Sequence, residues 1–292
     1  MWEKPWGLLE GLIIALGLII AGIMLEITAG PVMWDAFAWP ANIIALVTLI
    51  GIIVIMHMMR KRFYACAFFG TYTAAIPTFA VAVVLTIIMG LTRQTVGGTW
   101  IYDMLTFWPF VLIYVLMTII LGLAILKHIT HFNYKRDIPF LLNHLGLFIA
   151  LTCGTMGNAD MQRLKMITEI GQVEWRALDQ QQAIKELPIA IELKQFIMEQ
   201  YNDGSPKRFA SEVQILSQTG KNIHAIIDVN KPVEVDGWKI YQYGYDTNAG
   251  PRSRISIFEL VRDPWLPAVY AGIIMMLAGA VGMFIISQRR TS

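Results

Sequence analysis

Apolar and polar positions follow two different rhythms in this chain. Long, almost uninterrupted apolar runs fill residues 1–156 and 264–292, and a polar, alternating stretch separates them. About 20 apolar residues in helical form cross a bilayer's hydrocarbon core. Six runs meet or approach that length: Gly7–Leu25, Ala41–Met59, Phe68–Gly90, Leu105–Leu126, Pro139–Met156 and Leu266–Ile286. The first has no small-residue cleavage site after it, so it reads as a span rather than a removable leader.

The stretch from Gly157 to Asp263 has period two. Ile189, Ile191 and Leu193 share one side of an extended chain, with Glu192 and Lys194 on the other. Val213 and Ile215 alternate with Glu212 and Gln214. Ile255, Ile257 and Glu259 alternate with Arg254, Ser256 and Phe258. Such alternation marks half-buried strands. Turn signals separate them at Asn202-Asp203-Gly204-Ser205-Pro206, Thr219-Gly220-Lys221-Asn222, Asp236-Gly237 and Asn248-Ala249-Gly250-Pro251, and Asp-Gly between apolar runs is a hairpin signal. An antiparallel, sandwich-like β-domain is expected. Asn158–Glu186 fits either short strands or a helical connector.

Charge gives the layout a direction. Arg60, Lys61 and Arg62 follow the second run, Lys127, Lys135 and Arg136 lie between the fourth and fifth, and Arg289 and Arg290 lie near the last residue. The loop between the first two runs has no Lys or Arg, and the next such loop has only Arg93. The positive-inside rule therefore predicts both termini in the cytoplasm. The expectation is a polytopic α-helical membrane protein with six spans, N-in and C-in, in a cell's inner membrane. Residues 1–156 carry five spans, 157–263 form the all-β domain on the outer, periplasmic face, and 264–292 hold the sixth span and tail.

Composition agrees: 56% of the 292 residues are hydrophobic and 15% charged, against about 25% charged in soluble domains. No clustered basic face suggests nucleic acid. Cys66 and Cys153 lie in apolar runs as packing residues, and without a C-x-x-C-H motif the chain is not itself a c-type cytochrome. No phosphate loop or H-E-x-x-H spacing appears, and Asp228, Glu234 and Asp236 read as solvated strand and turn residues, so no catalytic residue is assigned. Trp2, Trp6, Trp34, Trp39, Trp100, Trp108 and Trp265 sit near expected interfaces, where amphipathic rings settle. The 16 methionines read as packing. Gly146 and Gly154 in the fifth run, and Gly272, Gly279 and Gly282 in the sixth, would let helices approach closely.

The histidines carry the candidate chemistry. His128 and His131 flank a basic loop and read as headgroup contacts, His57 near a span end can snorkel, and His224 lies in the β-domain. His144 is inside the fifth run. An ionisable residue within a span is a functional-site candidate by default, and neutral imidazole is an axial ligand for haem iron. The alternative is a histidine bonded to a neighbouring helix, with Asn143 as intermediary. Residues alone leave both open.

Four segments together resemble the ResB/CcsB family: LPIAIELKQFIMEQY, SPKRFASEVQIL, VNKPVEVDGWKIYQYGYD (Val229–Asp246) and SRISIFELVRDPWLPAVYAG (Ser253–Gly272). The shared pattern is an Asn-x-Pro turn (Asn230, Pro232), a Tyr-Gln strand (Tyr241, Gln242) and Arg262-Asp263-Pro264 before the last span. The resemblance covers about Pro139 to the end; the four earlier spans are compatible with it rather than diagnostic. It implies a subunit of a System II cytochrome c synthase, working with a ResC/CcsA-type partner to bring haem b outward and attach it to apocytochrome c. It places a haem-ligating histidine where His144 stands. The tryptophan-rich WWD signature belongs to the partner, and Trp34-Asp35 is a lone dipeptide. The second ligand would come from the partner or from His57. Two other readings stay open: a scaffold that docks apocytochrome or a thiol-reducing protein, and a haem b electron carrier using His57 and His144. No inverted repeat supports a transporter.

Overall fold

The computed structural model describes residues 3–130 and 132–291, with the side chains at 134–136 and 286–291 outside that description. Trp2 and His131 therefore lie outside the described residues, as do the side chains of Lys135, Arg136, Arg289 and Arg290. The chain divides into two units, one of residues 1–159 with 265–292 and the other Asp160–Pro264.

The first unit is helical. Its helices are α1 (Leu8–Ala29), α2 (Ala41–Met59), the short α3 (Tyr64–Phe68), α4 (Tyr72–Leu91), α5 (Trp108–Thr130), α6 (Tyr134–Gly157) and α7 (Leu266–Thr291). All but α3 are long and apolar enough to cross a membrane. They expose large apolar side chains such as Ile20, Ile44, Ile87 and Ile274. That surface is stable against lipid, not water, so the protein is a multi-pass membrane protein. The third expected run is shortened because Phe68 belongs to α3 and a turn at Gly70 precedes α4. The fourth begins at Trp108, with Pro109 where a helix start lacks an N–H partner anyway.

α5 is the hub: α1, α2, α4 and α6 all pack on it. Small residues permit these approaches. Gly11 of α1 lies where a Cβ would be 2.5 Å from the Thr73 carbonyl oxygen, the carbonyl that Pro77 in α4 leaves without a helical donor. Gly22 sits equally close to the Pro109 nitrogen at the start of α5. Beside it, buried Glu26 accepts the Trp108 N–H through Oε2 at 3.2 Å, and the Trp108 indole donates to the Gly30 carbonyl at 2.8 Å. A carboxylate at a helix N-terminus satisfies an orphan donor and the helix dipole together. α6 and α7 pack backbone to backbone through Gly146, Gly272 and Gly279.

The second unit has eight strands: β1 (Gln162–Glu169), β2 (Val173–Leu178), β3 (Ile184–Gln200), β4 (Pro206–Ser217), β5 (Asn222–Asp228), β6 (Val233–Val235), β7 (Trp238–Tyr245) and β8 (Ile255–Arg262). They form one antiparallel sheet in the order β5-β4-β3-β2-β1-β8-β7-β6, rather than the two sheets of a sandwich. The open stretch Asn158–Glu186 resolves into a short 3-10 turn followed by β1, β2 and the start of β3. The sheet curls into a near-barrel, so all eight strands feed one core, including Met166, Ile191, Val213, Ile227, Trp238 and Phe258. In β8 the buried side is Ser256, Phe258 and Leu260, and Ile255 and Ile257 are half-buried on the other. Asp236-Gly237 forms the expected two-residue hairpin, with φ of 51° and 80° and Val235 paired to Trp238.

Candidate functional site

His144 is the one histidine well inside α6, and the helix itself orients it. Its Nδ1 is 2.9 Å from the carbonyl oxygen of Phe140, one turn earlier. A carbonyl only accepts, so Nδ1 carries the proton and a neutral ring keeps the Nε2 lone pair free. Among the described residues Nε2 has no hydrogen-bond partner. The Phe140 ring stacks on the imidazole at 3.7 Å and 21°. The bond to a neighbouring helix belongs instead to Asn143, whose amide donates to the Met276 carbonyl of α7 at 2.9 Å.

The far side of Phe140 holds His128 of α5, with ring centroids 3.8 Å apart. His128 Nδ1 lies 3.5 Å from Oδ1 of Asp137. Asp137 is 1% exposed, and its Oδ2 accepts the Asn133 N–H at 2.7 Å where α6 begins. His128 is thus set against a buried carboxylate and an aromatic ring rather than left to headgroups.

His57 is placed differently. Nη1 of Arg60 lies 2.6 Å from His57 Nδ1 and also touches Nε2. A guanidinium only donates, so it competes with any metal for the ring's lone pair. Depth does not separate the two histidines. α2 and α6 meet where Asn42 donates to the Met156 carbonyl, and at 1.5 Å per residue His57 and His144 lie about 22 and about 18 Å along their helices from there. His224 is exposed on β5 and faces Glu212 at 3.0 Å.

Two further features of the helical unit have no signal in the hydropathy pattern. Glu26 is a buried acid inside the first span, and its role as the α5 cap explains it. A cleft of about 210 Å3 opens among Trp34, Leu105, Tyr114, Thr118, Thr155 and Met156. Its hydroxyls bond inward: Tyr114 donates to the Leu151 carbonyl, Thr155 to Tyr114, and Thr118 to the Tyr114 carbonyl. Among the described residues no cluster of three or more His, Cys, Asp or Glu could hold a bare metal ion.

In the β-unit, Gln242 proves structural. Its side chain points into the core, and its amide donates to the Gly244 carbonyl at 2.9 Å, fixing the bulge where β7 shifts register against β8. Asp236 is held by Ser217, by Thr219 at 2.9 Å and by Lys221 at 2.7 Å. The Lys221 ammonium and the two hydroxyls lower its pKa from the ordinary 3.8 to about 2. These contacts clasp the β4–β5 turn to the β6–β7 turn.

Residues 133–257 match the model of the ResB-like family. Over that stretch the chain is similar to ResB/CcsB-type proteins. A curated relative, cytochrome c biogenesis protein CcsB of Prochlorococcus marinus subsp. pastoris (strain CCMP1986 / NIES-2087 / MED4), is 31% identical over 104 residues. Those residues make up 35% of this chain and 23% of the relative, so the chain matches about a quarter of that protein's length. The solved structure of cytochrome c haem lyase CcmF is loosely similar, with a TM-score of 0.40 and 10% identity over 96% of this chain and 46% of that one. The ResB-like stretch takes in Asp137, Phe140, His144 and seven strands whole; His128 lies just before it.

Proposed function

We propose that this chain is a haem-handling subunit of a System II cytochrome c synthase, acting with a ResC/CcsA-type partner to load haem in the membrane and present it to apocytochrome c. The observation that carries the reading is His144: an imidazole inside an apolar helix, its Nδ1 fixed by a backbone carbonyl and its Nε2 free. Ligating histidines in metal sites have that arrangement. Haem asks the protein for one or two such imidazoles rather than a cluster, so the residues present fit it. Haem is cargo here, and the iron's coordination bond is what holds it between entry and transfer. α6 sets the depth of the imidazole, Phe140 limits its rotation, and the apolar helices keep water from it. The ResB-like similarity supports the biogenesis role, and the Lys and Arg pattern supports an outer position for the β-unit, where an apocytochrome would dock.

The test is co-expression with a ResC/CcsA-type partner and an apocytochrome. Holocytochrome should form only with this chain present, and His144→Ala should strip haem from the purified pair. Equal yield without the chain would sink the reading. The scaffold alternative draws on Val173, Trp175 and Ile184, large apolar side chains exposed on β2 and β3. Cross-linking of this face to apocytochrome, with no haem ever retained by the pair, would favour it.

A further inference from the structure

The sheet of the β-unit has two edges, β5 and β6, and the chain treats them differently. β6 is three residues long and follows Pro232, which has no N–H to offer a neighbour. β5 is seven residues long, holds no proline or lysine, and pairs with β4 in unbroken register from Asn222 to Asp228. Short length, prolines, lysines and bulges are the usual guards of an edge strand, and β5 lacks all four.

Alternation decides which backbone groups of β5 are spent. Antiparallel neighbours exchange hydrogen bonds at every second residue. Ser217 donates to the Lys221 carbonyl at 3.0 Å, so the bonded pairs continue at Ile215–Ile223, Val213–Ala225 and Ser211–Ile227. Asn222, His224, Ile226 and Asp228 therefore turn their N–H and C=O groups away from β4. The other end of β5 has the same phase, because Asp228 and Lys231 exchange backbone bonds of 3.4 and 3.2 Å. That first rung of a β5–β6 ladder is also the last: Pro232 has no N–H, and β6 pairs with β7 instead. Among the described residues, the N–H and C=O groups of Asn222, His224 and Ile226 have no backbone partner, and all three residues are exposed.

Three donors and three acceptors, spaced two residues apart over roughly 14 Å, complement the backbone of another extended chain. Charge offers no competing handle, since the acids beside the strand are already matched. Glu212 faces His224 at 3.0 Å, Asp228 accepts from Arg208 at 2.8 Å, and Asp236 accepts from Lys221 at 2.7 Å.

We propose that β5 is a docking edge for an unfolded polypeptide, which adds as a further strand along Asn222–Ile226. On the haem-handling reading above, on which this rests, the occupant is the apocytochrome, a chain still without the haem it folds around. Recognition through the backbone accepts many sequences, which suits acceptors that share little beyond C-x-x-C-H.

The experiment uses the full chain purified with its ResC/CcsA-type partner and a fluorescently labelled apocytochrome. It reads affinity, holocytochrome yield, melting temperature and backbone hydrogen exchange. Apocytochrome should slow exchange at Asn222, His224 and Ile226. His224→Pro removes one outward N–H and spares the bonds to β4, as proline on a free edge does. It should weaken apocytochrome binding about fivefold, the worth of one hydrogen bond, with the melting temperature close to wild type. His224→Ala keeps the N–H and should bind like wild type, whereas a side-chain contact would be lost. Ala225→Pro removes an N–H bonded to β4 and should instead destabilise the β-unit. Affinity should change little with salt, because no exposed ion pair carries it. Unchanged affinity in His224→Pro, with no protection at the three amides, overturns the proposal; holocytochrome that still depends on this chain then leaves the functional reading standing. Protection that follows the concentration of the complex rather than of apocytochrome would make a second copy the occupant and overturn the proposal equally. Holocytochrome formed without this chain, with apocytochrome still protecting the three amides, would remove the functional reading and keep the docking edge.

Discussion

Gly279→Ala adds one methyl group at the tightest approach in the helical unit. The new carbon would lie 2.6 Å from the Pro139 carbonyl oxygen and 2.7 Å from the Asn143 Cα, both backbone atoms of α6. Carbon atoms rest at about 3.5–4.0 Å, so α6 and α7 must separate locally by roughly 1 Å. Overpacking of this kind costs about 1–3 kcal/mol. The separation also stretches the Asn143–Met276 hydrogen bond, and bonds of this kind between membrane helices average about 0.6 kcal/mol. Against this, alanine is the better helix former by about 1 kcal/mol. A net loss of about 1–2 kcal/mol is expected. Gly17 of α1 is the control, because a Cβ there meets nothing within 4 Å; Gly17→Ala should be neutral or stabilising by up to about 1 kcal/mol. Unfolding in detergent, followed by thiol-dye labelling of Cys66 and Cys153, measures both. The loss should extend to function, because Asn143 immediately precedes His144, and haem content of the purified pair should fall with stability. Equal behaviour of Gly279→Ala and Gly17→Ala would refute the backbone-to-backbone packing of α6 on α7.

Asp236 titrates at about 2 when folded and at the ordinary 3.8 when free, so its clasp stabilises the β-unit fully above about pH 4 and is lost as pH falls towards 2; Asp236→Asn should lower the melting temperature at pH 6, and the gap from wild type should close in acid. A gap unchanged from pH 6 to pH 2.5 would show that the carboxylate contributes nothing. Glu26→Ala should destabilise the helical unit by about 1–3 kcal/mol, the cost of an orphaned buried N–H at Trp108, while Glu26→Gln, which keeps an acceptor oxygen, should recover most of it; equal melting temperatures for the two variants would place Glu26 outside the α5 cap.

What could be read from the residues, and what could not, divides along the range of the interactions involved. Hydropathy finds six spans because lipid rewards each helix separately. The Asp236-Gly237 hairpin is likewise legible, because two positive-φ residues define the turn locally. The continuous sheet is not legible, because its interior β1–β8 pairing joins Gln162 to Arg262 across most of the β-unit, and no periodicity within β1 or β8 encodes a partner so distant. The same division runs through the candidate site. His144 stands out by being inside a span, a property of one position. His128 does not, because its position beside Lys127 suits a headgroup contact equally well. Its distinction lies in Asp137 and Phe140, which reach it only after the chain has turned from α5 into α6. Yet the turn is short, and the order His128, Asp137, Phe140, His144 falls within two helix ends. An acid at the start of a span, facing a histidine at the end of the span before it, is a pattern visible in sequence once an α-helical hairpin is assumed. The β-unit has no such hint: Gln242 looks like a functional motif residue until its amide is found bonded to Gly244. A motif residue held by its own strand answers for the fold of the β-unit, and the test of chemistry therefore falls on the α5–α6 hairpin.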